Sequence, residues 1–266
     1  METTNETRWA TLLTDAVITP GLISTAYSTF HGYSLGNQMA ALGQCYGRGI
    51  EIGPISTYKG WQAVGRQVKK GEKAIELCMP VTRRKNEQDS DGTEREAAFT
   101  MFIYKRNWFV MSQTEGDDYQ LPPMPAWDKA RALKGLDVSE IPFDIADGNV
   151  QGFARGRSLA INPVAALPHK TLFHELGHIM LGHTHDHSTE KSLREAEAES
   201  VALLCLDSLE LPGAEFCRGY IQNWLRGAPI PEKSAQKIFA AANKILAAGR
   251  EETKTAKGEE AHAAAA

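Results

Sequence analysis

The sequence predicts an α+β protein of two modules. The first holds helices followed by a β-hairpin or small sheet, and a proline-rich linker joins it to a mostly helical module with a small sheet of its own. Three observations carry that expectation. β-forming residues gather in two runs, 73–81 and 97–111. Helical periodicity fills most of the chain after His169. Between the two, residues 115–127 hold three prolines and the adjacent Asp117 and Asp118 without any periodicity, as a linker does. A length of 266 residues suits two domains of ~150 residues each. The composition, 42% hydrophobic and 23% charged, supports a buried core and excludes wholesale disorder.

Taken in order, Trp9, Leu12, Leu13, Ala16 and Val17 recur at i, i+3, i+4, i+7 and i+8, a helical stripe that Pro20 and Gly21 stop. Ser34 is placed to cap a second helix running to about Tyr46, and Ser56 or Thr57 a short third one carrying Trp61 and Val64. The two β-runs flank a polar stretch, 83–96, with an Asp91-Gly92 turn signal, and so form a long-looped hairpin. Beyond the linker the pattern gives a short helix at 127–136, small strands at 143–145 and 158–161, and helices at 169–182, 190–209, 213–225 and 231–248. The expected domains are 1–114 and 128–249, joined by 115–127, with a frayed tail at 250–266.

No stretch approaches the ~18 apolar residues of a membrane span, and the first eight residues lack a signal-peptide layout. The cytoplasm is the expected compartment, with no membrane partner. Cys45, Cys78, Cys205 and Cys217 form no CxxC pair and are expected as reduced, buried thiols. Charge is unevenly spread: residues 1–113 carry 13 basic against 11 acidic side chains, and residues 114–266 carry 16 against 22. Residues 48–85 alone hold nine basic and three acidic side chains.

His174-Glu175-Leu176-Gly177-His178 is an H-E-x-x-H motif, which this composition would produce by chance about two times in a hundred. Leu172, Phe173, Leu176, Ile179 and Met180 recur around it at helical spacing. On a helix the two histidines share a face, so both imidazoles can reach one Zn²⁺ at ~2.0–2.1 Å. Glu175 beside them is placed to take a proton from water as it attacks a polarised carbonyl. A third ligand is needed. The metzincin pattern wants Gly three and His six residues after His178, where Leu181 and Thr184 stand, so His183 is one position out of frame. In 194–199, Glu195 and Glu199 share a face, whereas Glu197 is rotated ~200° from Glu195. Glu195 is the expected ligand and Glu199 the carboxylate that orients a histidine; the spacing also allows the reverse. His183, His185 and His187, with Asp186, are expected as a loop between helices without a catalytic role.

In the first module, Arg66, Lys69, Lys70 and Lys73 lie close to Tyr58, Lys59 and Trp61, and Tyr104, Lys105, Arg106 and Trp108 occupy the second β-run. Single-strand binders join cations for phosphates to aromatic platforms for bases. A solvated basic face beside a core has the same composition.

The stretch 171–181 followed by Glu195-Ala196-Glu197-Ala198-Glu199 resembles the gluzincin-like metallopeptidase domain of the ArdC antirestriction proteins, related to the ImmA/IrrE peptidases. Tyr33-Ser34-Leu35-Gly36-Asn37-Gln38 and the run from Thr57 to Ala74 resemble the ArdC N-terminal single-stranded-DNA-binding domain. The resemblance spans about residues 6–248. It implies a mobile-element protein that binds single-stranded DNA and shields incoming DNA from host restriction. Its N-terminal domain would contact DNA through Tyr58, Lys59, Trp61, Arg66, Lys69, Lys70 and Lys73. Its zincin-like domain would hold Zn²⁺ on His174, His178 and Glu195, use Glu175 in catalysis, and act on an unidentified protein substrate. Two other readings share these residues: a strand-coating protein with a structural or vestigial zinc site, and an ImmA-like protease that cleaves a repressor. Glu199 stands where thermolysin-like and ImmA-like patterns usually have Asp or Asn.

Overall fold

The computed structural model describes residues 9–88, 94–186 and 188–251. In chain order the elements are α1 (Trp9–Ile18), α2 (Leu22–Phe30), α3 (Leu35–Arg48), β1 (Ile55–Thr57), α4 (Tyr58–Ala63), β2 (Arg66–Val68), β3 (Ile75–Gln88), β4 (Glu94–Val110), β5 (Thr114–Gly116), α5 (Lys129–Gly135), β6 (Ser139–Glu140), β7 (Gly152–Arg155), β8 (Ser158–Ile161), α6 (Pro168–Met180), α7 (Lys191–Ser208), α8 (Ala214–Leu225) and α9 (Glu232–Gly249). The architecture is the α+β one that the sequence predicts, with small sheets. No helix among the described residues is long and apolar enough to cross a membrane.

Two compact units form, residues 29–122 and residues 9–28 together with 123–251. Residues 9–28 of the expected domain 1–114 therefore pack with the C-terminal unit. Helix α2 was not foreseen: its four Ser and Thr residues weaken helix propensity, yet Ile23, Ala26, Tyr27 and Phe30 are buried on one stripe.

In the 29–122 unit, β3 and β4 pair antiparallel from Ile75↔Trp108 out to Gln88↔Glu94, so most of the polar stretch expected as loop is ladder. An unbroken run of polar residues does not prevent pairing, because the ladder is made by backbone N–H and C=O groups. The expected turn at Asp91-Gly92 lies outside the described residues. The strand order is β1-β4-β3, leaving β3 an edge. Helix α3 covers that edge with two amides seven residues apart. Asn37 donates to Cys78 O (2.8 Å) and accepts from Cys78 N (2.9 Å), and Gln44 does the same with Glu76 (2.7 and 2.9 Å). Each amide completes the ladder as a neighbouring strand would. Strand β5 pairs with β2, so the expected linker begins as part of this unit.

In the other unit, α7 is buried from Ala196 to Leu206 and forms the centre around which α6, α8 and α9 pack. Helix α1 lies on α9, with Trp9 and Phe239 ring centroids 5.6 Å apart. The Glu232 carboxylate accepts from Trp9 N (2.7 Å) and Ala10 N (2.9 Å) at the start of α1, and Arg218 donates to Val17 O (3.1 Å) near its end. Both charges complement the helix dipole. The small sheet has the order β6-β8-β7. The expected strand at 143–145 is not one: Phe143 packs on Phe153 of β7 (6.0 Å) by side chain, without backbone pairing. The period-two pattern there marks side-chain burial only.

Candidate metal centre

Helix α6 starts with Pro168 in its first turn, where a missing amide costs nothing, and buries Leu172, Phe173, Leu176 and Ile179. Its C-terminus closes in a Schellman arrangement: His183 N donates to His178 O (2.9 Å) and Gly182 N to Ile179 O (3.2 Å), with Gly182 at φ 82°. Gly177, inside the H-E-x-x-H motif, lets α7 come close, because a Cβ there would lie 3.1 Å from Ala198 Cα and O. That approach carries Glu195 to the histidine pair.

His174 Nε2 and His178 Nε2 are 3.1 Å apart, and Glu195 Oε2 lies 3.5 and 3.6 Å from them. A tetrahedral ion bound at ~2.0–2.1 Å requires donor atoms about 3.3–3.4 Å apart, so these three fit a small divalent cation. Behind them, His174 Nδ1 faces Glu199 Oε1 at 3.4 Å, long for a hydrogen bond, and Glu199 pairs with Lys170 at 2.8 Å. His178 Nδ1 meets His183 Nδ1 at 3.1 Å, and His183 Nε2 meets Glu197 Oε2 at 2.9 Å. Glu197 pairs with His183, a residue whose place in sequence, in a loop between helices, suggests no role. A histidine directly after a helix-ending glycine was the available signal.

Electrostatics suit a cation. Burial disfavours charge on His174, but Glu195 and Glu199 outweigh it and raise its pKa to about 9. The same imidazoles hold Glu195 well below the usual carboxylate range. Burial would raise Glu199, yet His174 and Lys170 keep it at about 2. For Glu175 burial prevails and lifts its pKa to about 7. Strand β7 lies directly against this carboxylate: a Cβ on Gly152 would sit 2.5 Å from Thr171 Cγ2 and 3.4 Å from Glu175 Cγ.

Residues 6–109 match the model of the N-terminal domain of the anti-restriction factor ArdC. This segment is similar to that domain. Over 91% of this chain and 94% of the other, the fold is that of the metal-free crystal structure of the antirestriction protein ArdC from plasmid R388 (TM-score 0.51, 19% identity). The Mn(II)-bound crystal structure of that protein aligns with 92% of this chain and 99% of its own (TM-score 0.49, 17% identity). The uncharacterized protein y4eC of Sinorhizobium fredii is 24% identical over 249 residues, covering 86% of this chain and 79% of its own.

Within the segment that matches the ArdC N-terminal domain, the expected DNA contacts separate. Trp61 is buried, donates to Phe109 O (2.8 Å) and meets Tyr119 edge-on at 5.3 Å, so it is a core residue and offers no platform. Trp108 is buried too. Arg66 donates to Thr114 Oγ1 (2.8 Å) and to Asp117 O, and Lys69 donates to Ser112 O (2.9 Å). Lys59, Lys70 and Lys73 are exposed, as is the ring of Tyr58, whose hydroxyl accepts from Gln67. Asn37 and Gln38 are buried and bridge backbone.

Proposed function

We propose that the C-terminal unit is a metal-dependent peptidase and that the ArdC N-terminal domain binds single-stranded DNA, the two serving antirestriction. The observation that carries the peptidase reading is the convergence of three donor atoms within 3.1–3.6 Å beside a buried carboxylate. His174, His178 and Glu195 would hold the ion, and two imidazoles with one carboxylate suit Zn²⁺. When bound, such an ion polarises a carbonyl and acidifies water. Glu175 then takes the proton: burial keeps its basicity near neutral pH, where a general base works best. Strand β7 is an edge strand beside Glu175, and an extended peptide pairing along it would lie next to that carboxylate.

Glu175→Gln preserves shape and removes the proton acceptor, so metal content and DNA affinity are expected to persist while peptide hydrolysis falls by ~10²–10⁴. Hydrolysis undiminished in this variant would overturn the assignment. For the DNA reading, exposed Lys59, Lys70, Lys73 and Tyr58 supply cations and one aromatic face. Transfer of unmodified DNA into a restricting host, with wild type and Glu175→Gln compared, separates protection by proteolysis from protection by strand coating.

A further inference from the structure

Resting on the metal-site reading above, we propose that His183 and Glu197 form a relay that fixes the tautomer and ring orientation of His178. A histidine that ligates through Nε2 must carry its proton on Nδ1, and that N–H needs a buried acceptor. At His178 the group within reach is an imidazole nitrogen, His183 Nδ1, at 3.1 Å. It can accept only if His183 holds its own proton on Nε2. Glu197 Oε2 sits 2.9 Å from that nitrogen and, as a carboxylate, accepts and never donates. The direction of the chain is thereby fixed: His178 Nδ1–H to His183 Nδ1, then His183 Nε2–H to Glu197.

The relay is built in. His183 and Glu197 are 8% and 5% exposed. The backbone of His183 is tied to His178 O through the helix-ending turn at Gly182, so ring and main chain of one residue both anchor the same ligand. The other histidine is held differently: His174 Nδ1 faces the Glu199–Lys170 ion pair. Two ligands one turn apart thus have separate supports, one anionic and direct, the other passed through a neutral ring. His183 and Glu197 are positioning residues, since neither reaches the place where an ion would sit.

The test measures zinc affinity of the full chain by chelator competition, and imidazole protonation by ¹⁵N NMR of the zinc-loaded protein. His183→Ala should bind zinc ~10–100-fold more weakly at unchanged stoichiometry, the usual effect of removing such a support. His183→Asn, whose side-chain oxygen lies near the position of Nδ1, should recover part of the loss. Because the two residues act in series, His183→Ala/Glu197→Ala should bind no more weakly than His183→Ala. In the unaltered protein His178 should carry its proton on Nδ1 and His183 on Nε2. Should His183→Ala fail to fold, the Asn variant and these spectra decide. A zinc affinity for His183→Ala within about threefold of the parent, or a His183 proton on Nδ1, overturns the relay. His174→Ala is the control: if it loses zinc while His183→Ala does not, the relay alone falls, and if it retains zinc the metal reading falls with it.

Discussion

Trp61 illustrates how a side chain's neighbours in sequence can mislead. Beside Lys59 and Arg66 its indole has the company of a nucleotide platform, yet the ring is 1% exposed, and the Arg66 guanidinium lies over it at 5.9 Å from its centroid. Trp61→Ala is accordingly expected to cost ~3–5 kcal/mol of stability in the N-terminal unit, seen as a lowered unfolding midpoint. Lys70→Ala and Lys73→Ala should leave that midpoint in place and each flatten the salt dependence of single-strand affinity by ~0.7. At His174 the pKa of about 9 means that the metal-free site holds a proton at pH 7. An ion must displace it, and a cation nearby also draws protons off Glu175, whose pKa is about 7. Zinc titrations in buffers of different ionisation enthalpy at pH 7 should therefore release one proton or slightly more. Affinity should rise with pH up to about 9; binding without proton release would contradict the site.

Among the elements, the contact of α6 with α7 decides whether the three donors meet. The sequence showed both helices through their apolar stripes and gave the shared faces of His174 with His178 and of Glu195 with Glu199. It did not show how near the helices lie, because that depends on the absence of a side chain at Gly177. Gly177→Ala places a Cβ 3.1 Å from the α7 backbone, which cannot yield as a flexible side chain would. The variant should lose ~1–3 kcal/mol of stability and bind zinc more weakly than the parent, as calorimetry and chelator competition would report. Unchanged zinc affinity in a folded Gly177→Ala protein would mean that the interhelix spacing is not what assembles the donors.

Across the whole molecule, the match to the ArdC N-terminal domain starts at residue 6, whereas the packing puts residues 9–28 in the C-terminal unit. Leu13, Ala16 and Val17 are buried there, and Trp9 covers Phe239. A chain lacking residues 1–28 should thus lower the unfolding midpoint of the C-terminal unit, since it uncovers α9 and removes both partners of Glu232. Its N-terminal unit should keep its single-strand affinity. A C-terminal midpoint unaffected by the deletion would show α1 to be an accessory.

The sequence by itself determined what depends on residues a few positions apart: the helices after residue 168, the stacking of His174 on His178 and the α+β class. Spacing along a helix or strand fixes those relations before any tertiary contact forms. Tertiary structure decided which face meets what. It turned Trp61 inward, set Asn37 and Gln44 on the edge of β3, and moved α1 to the other unit. It also brought Glu195 within 3.6 Å of both imidazoles while Glu199 took the back of His174. Glu197 and His183 met for the same reason: a sequence separation of 14 leaves their distance open until α7 packs on α6.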